Sequence, residues 1–303
     1  MKIVVTGSSG FVGSALVPSL ERAGHAVMRL VRRPPRPAAD EVRWDPEREI
    51  LDPTALRGVE AAVHLAGASL AGGRWTSGTK ARIRDSRVRS TRLLSEALCR
   101  LDPPPRVLVS ASAVGFYGHR GDQLLTEESP RGEGFLADVA ESWERAADPA
   151  RERGIRVVHP RLGLVLARNG GALARMLPAF RLGLGGPLGD GGQFWSWIAV
   201  DDLLAAFHIL LDHPALAGPV NAVAPQPVTS REFAATLGRV LRRPTRFQVP
   251  AWALRLALGQ MADEMLLGST RAVPRRLEHS GFTFLHPRLE EALAGLLRRR
   301  LAA

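Results

Sequence analysis

Residues 3–13 read Ile3-Val4-Val5-Thr6-Gly7-Ser8-Ser9-Gly10-Phe11-Val12-Gly13, and this stretch decides the fold. Three branched apolar residues predict a short buried strand, and Ser14 to Ala23 carry apolar residues at helical spacing before Gly24 as a stop. Gly24 to Arg33 then return to a strand pattern. The unit is strand, glycine turn, helix, strand. In such a turn Gly7 supplies a backbone conformation that a side chain would strain, while Gly10 and Gly13 let a phosphate and the helix come close. The amides at the helix start then face an anion. The spacing is G-x-x-G-x-x-G rather than the commoner G-x-G-x-x-G, but its place between a strand and a helix favours a dinucleotide turn over an ordinary tight turn.

At the end of the second strand a carboxylate would accept the ribose hydroxyls of NAD, and this chain has Arg32 and Arg33 there. A guanidinium grips a 2′-phosphate with paired hydrogen bonds, whereas a carboxylate repels it. The expected cofactor is therefore NADP(H). The alternative for the two arginines is a solvated basic strand end.

The 303 residues suffice for a large core, and 45% apolar with 23% charged residues is ordinary for a globular protein. The net charge of +11 raises nucleic acid as a partner, yet only Lys2 and Lys80 are lysines and the arginines are spread along the chain. No nucleic-acid partner is expected. Cys99 is the only cysteine, which excludes an internal disulfide and suits a reducing compartment. The first strand starts at residue 3 and no apolar run reaches spanning length, so the expectation is a cytoplasmic protein with no membrane partner.

Further along, Val42 to Pro46 suggest an edge strand and Asp52 to Leu56 a helical turn. Ala61 to Gly67 form an apolar strand ending in small residues, which would lay Leu65, Ala66 and Gly67 along a cofactor crevice. His64 reads as a satisfied sheet residue. A long amphipathic helix spans Thr79 to Arg100, and its Arg82, Ser86 and Arg87 either project toward the crevice or form a solvated basic face. After Pro103-Pro104-Pro105 a strand from Arg106 to Ser110 runs into Ala111-Ser112-Ala113-Val114-Gly115-Phe116-Tyr117-Gly118.

These segments resemble the extended short-chain dehydrogenase/reductase superfamily, in its epimerase/dehydratase branch, through T-G-x-x-G-F-V-G, H-L-A-G and S-A-S-A-V-G-F-Y-G. Arg74-Trp75 with Ser86-Arg87, Trp143-Glu144, Pro160-Arg161-Leu162-Gly163, the run Gly185 to Gln193, Trp197 to Leu203, and Pro274, Arg276-Leu277 and Gly281-Phe282 are similar to one subfamily that carries a small C-terminal domain of unknown function. The resemblance covers essentially the whole chain. It implies an α/β fold, a Rossmann-type doubly wound parallel sheet with a smaller C-terminal α/β substrate domain. Residues 1–165 would bind the dinucleotide, completed by about 194–215, and 166–303 would lie mostly on the substrate side. It also implies cofactor contacts from Gly7, Ser9, Gly10, Phe11, Val12 and Gly13, from Ser110 and Ala111, and from Pro160 and Leu162.

Members of the superfamily use a Ser together with a Tyr four residues before a Lys, whose ammonium lowers the phenol's pKa. This chain has no such pair: Tyr117 is its only tyrosine, and neither lysine follows it at that spacing. Leu136 and Ala140 align with the missing Tyr and Lys. Ser112 aligns with the superfamily's serine, and Tyr117 is either a proton donor lacking an evident cation or a wall of the substrate pocket. The expected activity is that of an NADP(H)-dependent oxidoreductase or epimerase-like enzyme on an unidentified small molecule; the alternative is a non-catalytic NADP(H) sensor.

In the second half, Ile155 to Leu166 read as one buried strand and Gly183 to Gln193 with Phe194, Trp195 and Trp197 as a loop lining the pocket. Asp201-Asp202 suit a helix N-terminus better than a metal site, and no metal is expected. Thr229 to Glu232 have capping-box spacing, Ala251 to Leu267 predict a buried helix, and Pro274 to Leu301 close the smaller domain, ending in Arg298-Arg299-Arg300.

Overall fold

Alternation along the first strand sets the architecture. In the computed structural model, which describes residues 1–37 and 39–298, β1 (Lys2–Thr6) turns Ile3 and Val5 to one core and Val4 to the other. A strand buried on both faces belongs inside a parallel sheet. Then come α1 (Gly13–Arg22), β2 (Ala26–Val31), β3 (Glu41–Asp45), β4 (Ile50–Leu51), β5 (Ala61–His64), α2 (Ser77–Cys99), β6 (Val107–Ser110) and the short β7 (Ser112–Ala113) and β8 (Leu124–Leu125). The middle of the chain forms α3 (Phe135–Arg145), α4 (Asp148–Glu152), β9 (Arg156–Leu162), β10 (Leu164–Ala167) and α5 (Gly171–Arg181). The last part supplies β11 (Phe194–Trp195), β12 (Trp197–Ala199), α6 (Val200–Asp212), β13 (Gly218–Ala222), β14 (Val228–Thr229), α7 (Ser230–Leu241), α8 (Ala251–Leu258), β15 (Arg271–Ala272), α9 (Arg275–His279) and α10 (Leu289–Arg298). The expected end of the closing helix at Arg299, Arg300 and Leu301 lies outside the described residues.

The large sheet runs β13-β9-β6-β5-β1-β2-β3-β4, with β7 also on β9; the neighbours are parallel except β3 with β4. Strand order reverses between β1 and β5, so a crevice opens at their carboxyl ends. This is the doubly wound Rossmann arrangement. α1 and α6 cover one face through Leu16, Leu20, Phe207 and Leu210, while α2 covers the other through Leu94 and Leu98. Each such side chain contributes about 1.5–3 kcal/mol on burial. A separate core of Leu173, Phe180, Trp197, Phe233, Leu237 and Leu293 holds the smaller unit together.

Four local expectations need correction. The predicted strand from Ile155 to Leu166 is two strands broken at Gly163, where a Cβ would stand 2.6 Å from the Ser196 carbonyl oxygen. β3 is not the edge, because the two-residue β4 pairs outside it. Asp202 does not cap its own helix: its carboxylate accepts from the Leu285 and His286 amides at 2.6 and 3.0 Å, tying α6 to the segment before α10. The buried helix over Ala251 to Leu267 is instead the short α8, none of whose residues is buried, followed by Gly259 at φ 61° and a π-helical turn over Ala262–Leu266. The capping box at Thr229 and Glu232 forms as expected, with Glu232 N on Thr229 Oγ1 at 3.1 Å and Thr229 N on Glu232 Oε2 at 2.7 Å. No helix among the described residues is long and apolar enough to cross a membrane.

Candidate functional site

The glycine turn between β1 and α1 is held shut by backbone. Gly7 has φ 66°, and a Cβ there would sit 2.7 Å from the Leu65 carbonyl carbon and oxygen. At Gly13 a Cβ would come within 2.2 Å of the Gly7 oxygen, which also accepts the Gly10 amide at 2.9 Å. Thr6 Oγ1 fixes the other wall by accepting from the amides of Leu65 and Ala66 at 3.1 and 3.3 Å. α1 has no side-chain cap and no acidic residue in its first turn. The Ser14 and Ala15 amides donate to the Gly10 and Val12 oxygens at 2.9 and 3.1 Å. Those of Phe11, Val12 and Gly13 make no backbone hydrogen bond among the described residues and are available to an anion, with the helix dipole adding to the attraction.

A cleft of about 1190 Å³ opens in front of this turn. Of the residues singled out in the sequence, it brings together Gly7, Ser9, Gly10, Arg32, Arg33, Leu65, Ala66, Gly67, Arg82 and Ser86. Arg29, Arg36 and Arg89 also line it and were not singled out; the signal for Arg29 and Arg36 was their proximity to the end of the second strand. The arginines differ in what they hold. Arg33 grips both Glu41 oxygens at 2.9 and 2.6 Å, and Glu41 also accepts the Arg36 amide at 2.9 Å. The Arg33 guanidinium holds the Glu41 carboxyl down to about 2. Arg32 is exposed on the cleft and makes no hydrogen bond or ion pair among the described residues.

Other singled-out residues lie outside that cleft's lining. Phe11 packs its ring on the chain at Gly170 and Gly171, where an added Cβ would stand 2.4 and 2.8 Å from ring atoms. Val12 precedes α1. Arg87 is half-buried rather than solvated and lies against Gly67 of the cleft wall, donating to the Ile83 carbonyl at 3.0 Å and stacking on Trp143 at 5.1 Å. Burial pushes its guanidinium down to about 10. Ser110 and Ala111 are buried at the end of β6, and Pro160 and Leu162 pair with Val220 and Ala222 of β13. His64 is enclosed, with Thr6 Oγ1 at 2.7 Å and Ser90 Oγ at 3.1 Å on its two nitrogens.

Ser112 and Tyr117 meet in one buried network. Ser112 donates to Glu144 Oε1 at 2.7 Å, and Arg161 donates to both Glu144 oxygens at 2.8 and 2.9 Å. The same guanidinium donates to the Tyr117 hydroxyl at 3.0 Å, which itself donates to Asn221 Oδ1 at 2.7 Å. The cation beside Tyr117 has no local signature, because 44 residues separate Tyr117 from Arg161 and only the β9 register brings them together. Burial raises the Tyr117 pKa in spite of Arg161. For Glu144 burial alone would raise the carboxyl, but the Arg161 hydrogen bonds and charge more than offset it and leave it below the ordinary value.

Two family descriptions match the chain: the NAD dependent epimerase/dehydratase family over residues 3–223, and a domain of unknown function (DUF1731) over residues 249–296. The chain belongs to the NAD dependent epimerase/dehydratase family. It is 44% identical over 291 residues to the epimerase family protein Mb2239 of Mycobacterium bovis, covering 96% of each chain. It is 35% identical to the human epimerase family protein SDR39U1, covering 97% of this chain and 98% of that one. The crystal structure of human SDR39U1 (isoform 2) with NADPH superposes with a TM-score of 0.90 at 33% identity, over 99% of this chain and 100% of that one.

In this epimerase-family chain a second cavity, of about 320 Å³, lies between the loop after Ser112 and the segment that matches the domain of unknown function. Gly115, His119 and Leu136 line one side and Arg255, Asp263 and Glu264 the other. Glu264 caps α3 across this boundary, accepting the Phe135 and Leu136 amides at 3.2 and 2.7 Å. Leu136, aligned with the superfamily's Tyr, faces this cavity, and Ala140, aligned with its Lys, is buried. Gly183 to Gln193, expected to line the pocket, border neither cavity; Gln193 instead donates to the Leu188 and Leu266 carbonyls at 3.1 and 2.9 Å.

Proposed function

We propose that this chain binds NADP(H) along the crevice between β1, β2 and β5, and acts as an oxidoreductase or epimerase-like enzyme on a small carbonyl or alcohol. The observation that carries the reading is the uncapped start of α1 facing a cleft whose opposite wall presents the unpaired Arg32. A pyrophosphate meets the amides after Gly7, and a 2′-phosphate meets Arg32, with Arg36 close by. Arg33 acts indirectly, neutralising Glu41, which would otherwise repel that phosphate. The human relative crystallised with NADPH supports the choice of cofactor. When bound, the dinucleotide supplies hydride chemistry. Residues 1–165 with the strands and helix up to about residue 223 form the cofactor side, and most of the rest covers the substrate side.

Ser112 holds the substrate oxygen in this reading. Without substrate its proton goes to Glu144 at 2.7 Å; a substrate carbonyl has to draw that proton from Glu144, whereas a substrate hydroxyl can donate to the free lone pairs of Ser112. Tyr117 is fully buried, with its hydroxyl closed between Asn221 and Arg161, and its role is to support Arg161 rather than to pass a proton. Incubating the protein with NADPH and a broad panel of carbonyl compounds should consume cofactor, and Ser112→Ala should abolish the loss; no consumption with any compound counts against an enzyme.

A non-catalytic NADP(H) sensor is the second reading. It is favoured by the engaged hydroxyls of Ser112 and Tyr117 and by apolar Leu136 and Ala140 on α3. It predicts NADPH binding without turnover, and a protein partner whose binding changes with the cofactor.

A further inference from the structure

α8 exposes an apolar surface that no described residue covers. Trp252 and Leu256, one turn apart on it, are 68% and 70% exposed, and Phe247 just before it is 58% exposed. Leu182 and Leu184, at 74% and 55%, stand on the neighbouring segment. That segment runs beside the approach to α8: Val249 N donates to the Pro187 oxygen at 3.0 Å, Gly189 N to the Val249 oxygen at 2.9 Å, and a Cβ at Gly183 would touch Pro244 at 3.5 Å. Five large apolar side chains therefore protrude from adjoining stretches of the smaller unit.

The charge around them is mostly positive, with Asp190, Glu232 and Asp263 at its borders. Residues 171–189 and 233–262 contain seven arginines and no aspartate or glutamate. Arg239 and Arg255 are paired with Glu290 and Asp263, but Arg242, Arg243 and Arg246 are exposed and hold no ion pair among the described residues. Protruding Trp, Phe and Leu beside unpaired arginines match the chemistry of an anionic bilayer surface, with apolar groups at the acyl boundary and guanidinium groups among the phosphates.

We propose that this face of α8 docks the protein on a membrane surface rich in anionic lipid. A second copy of the chain fits less well, because a symmetric contact would set the same arginines against each other. A protein groove-binder also fits less well, since none of the five apolar side chains lines either described cavity. The expectation of no membrane partner rested on the lack of a spanning run, and a helix lying in the interface requires none.

The test is co-sedimentation of the full chain with vesicles of phosphatidylcholine alone and of phosphatidylcholine mixed with phosphatidylglycerol. Binding should need the anionic lipid and weaken with salt. Arg243→Gln with Arg246→Gln should lower partitioning by about 25-fold, roughly fivefold for each arginine, and Trp252→Ser with Leu256→Ser should abolish it. All four positions are exposed, and unchanged circular dichroism melting would show that the variants fold. No sedimentation with anionic vesicles overturns the proposal, as does binding that both double variants leave intact. A dimer in sedimentation velocity that Trp252→Ser with Leu256→Ser dissolves, without vesicle binding, assigns the face to a second copy instead.

Discussion

Replacing Arg161 by Met should be among the most destabilising single changes in the chain. The side chains of Arg161 and Glu144 are 4% and 13% exposed, so the variant strands a carboxylate in the interior. Removing one partner of a buried pair costs about 3–5 kcal/mol, and losing the charged hydrogen bond to Tyr117 adds about 1.5–3 kcal/mol. Glu144→Leu strands the opposite charge and removes Ser112's acceptor, at a cost of about 3–5 kcal/mol or more. Arg161→Met combined with Glu144→Leu removes both charges, so the remaining loss is mainly that of Ser112's acceptor and Tyr117's donor, about 2–4 kcal/mol. The double variant should therefore be more stable than Arg161→Met alone in urea unfolding followed by tryptophan fluorescence. The pH dependence has a definite sign: the Glu144 carboxyl is lowered in the folded protein, so the pair's contribution is complete above the unfolded carboxyl's pKa and fades as pH falls through the folded one. In Arg161→Met the same carboxyl is raised by burial and protonates first, so the deficit should shrink on acidification. A double variant at the sum of the two single losses, or a deficit independent of pH, would refute the coupling.

Two more outcomes follow from the same geometry. Gly13→Ala places a Cβ 2.2 Å from the Gly7 oxygen, forcing the turn open; NADPH affinity measured by calorimetry should fall by about tenfold or more, and an unchanged affinity would contradict a closed phosphate turn. Burial holds the imidazoles of His64 and His159 down to about 3 and about 4 from 6.5. The unfolded chain then binds more protons below pH 6.5, so stability is complete above that value and falls as pH drops, by up to about 1.4 kcal/mol per pH unit for each histidine. His64→Asn should flatten part of the slope in unfolding measured between pH 7 and 5, and a wild-type stability constant over that range would contradict it.

The sheet was legible because its strands announce themselves locally: Ile3 to Val5, Ala61 to Val63 and Val107 to Val109 are short apolar runs buried on both faces. The glycine turn was legible because backbone contacts at Gly7 and Gly13 leave room for no other residue. What stayed hidden depends on long-range pairing. Arg161 reaches Tyr117 and Glu144 only through β9, and Asp202 turned from a helix cap into a tether because the Leu285 and His286 amides lie within its reach. Arg32 and Arg33 look alike in sequence, and only the position of Glu41 separates them. The apolar run from Ala251 to Leu267 resembled a core helix because periodicity cannot tell an inner apolar face from an outer one.

The central claim concerns the arginine that faces the cleft, and isothermal calorimetry of NADPH and NADH against the wild type and Arg32→Asp tests it most directly. A charged hydrogen bond of about 1.5–3 kcal/mol predicts tighter NADPH than NADH binding in the wild type, with that preference falling by about tenfold or more in Arg32→Asp while NADH is little changed. Equal losses for the two dinucleotides, or no heat with either on folded protein, would contradict it.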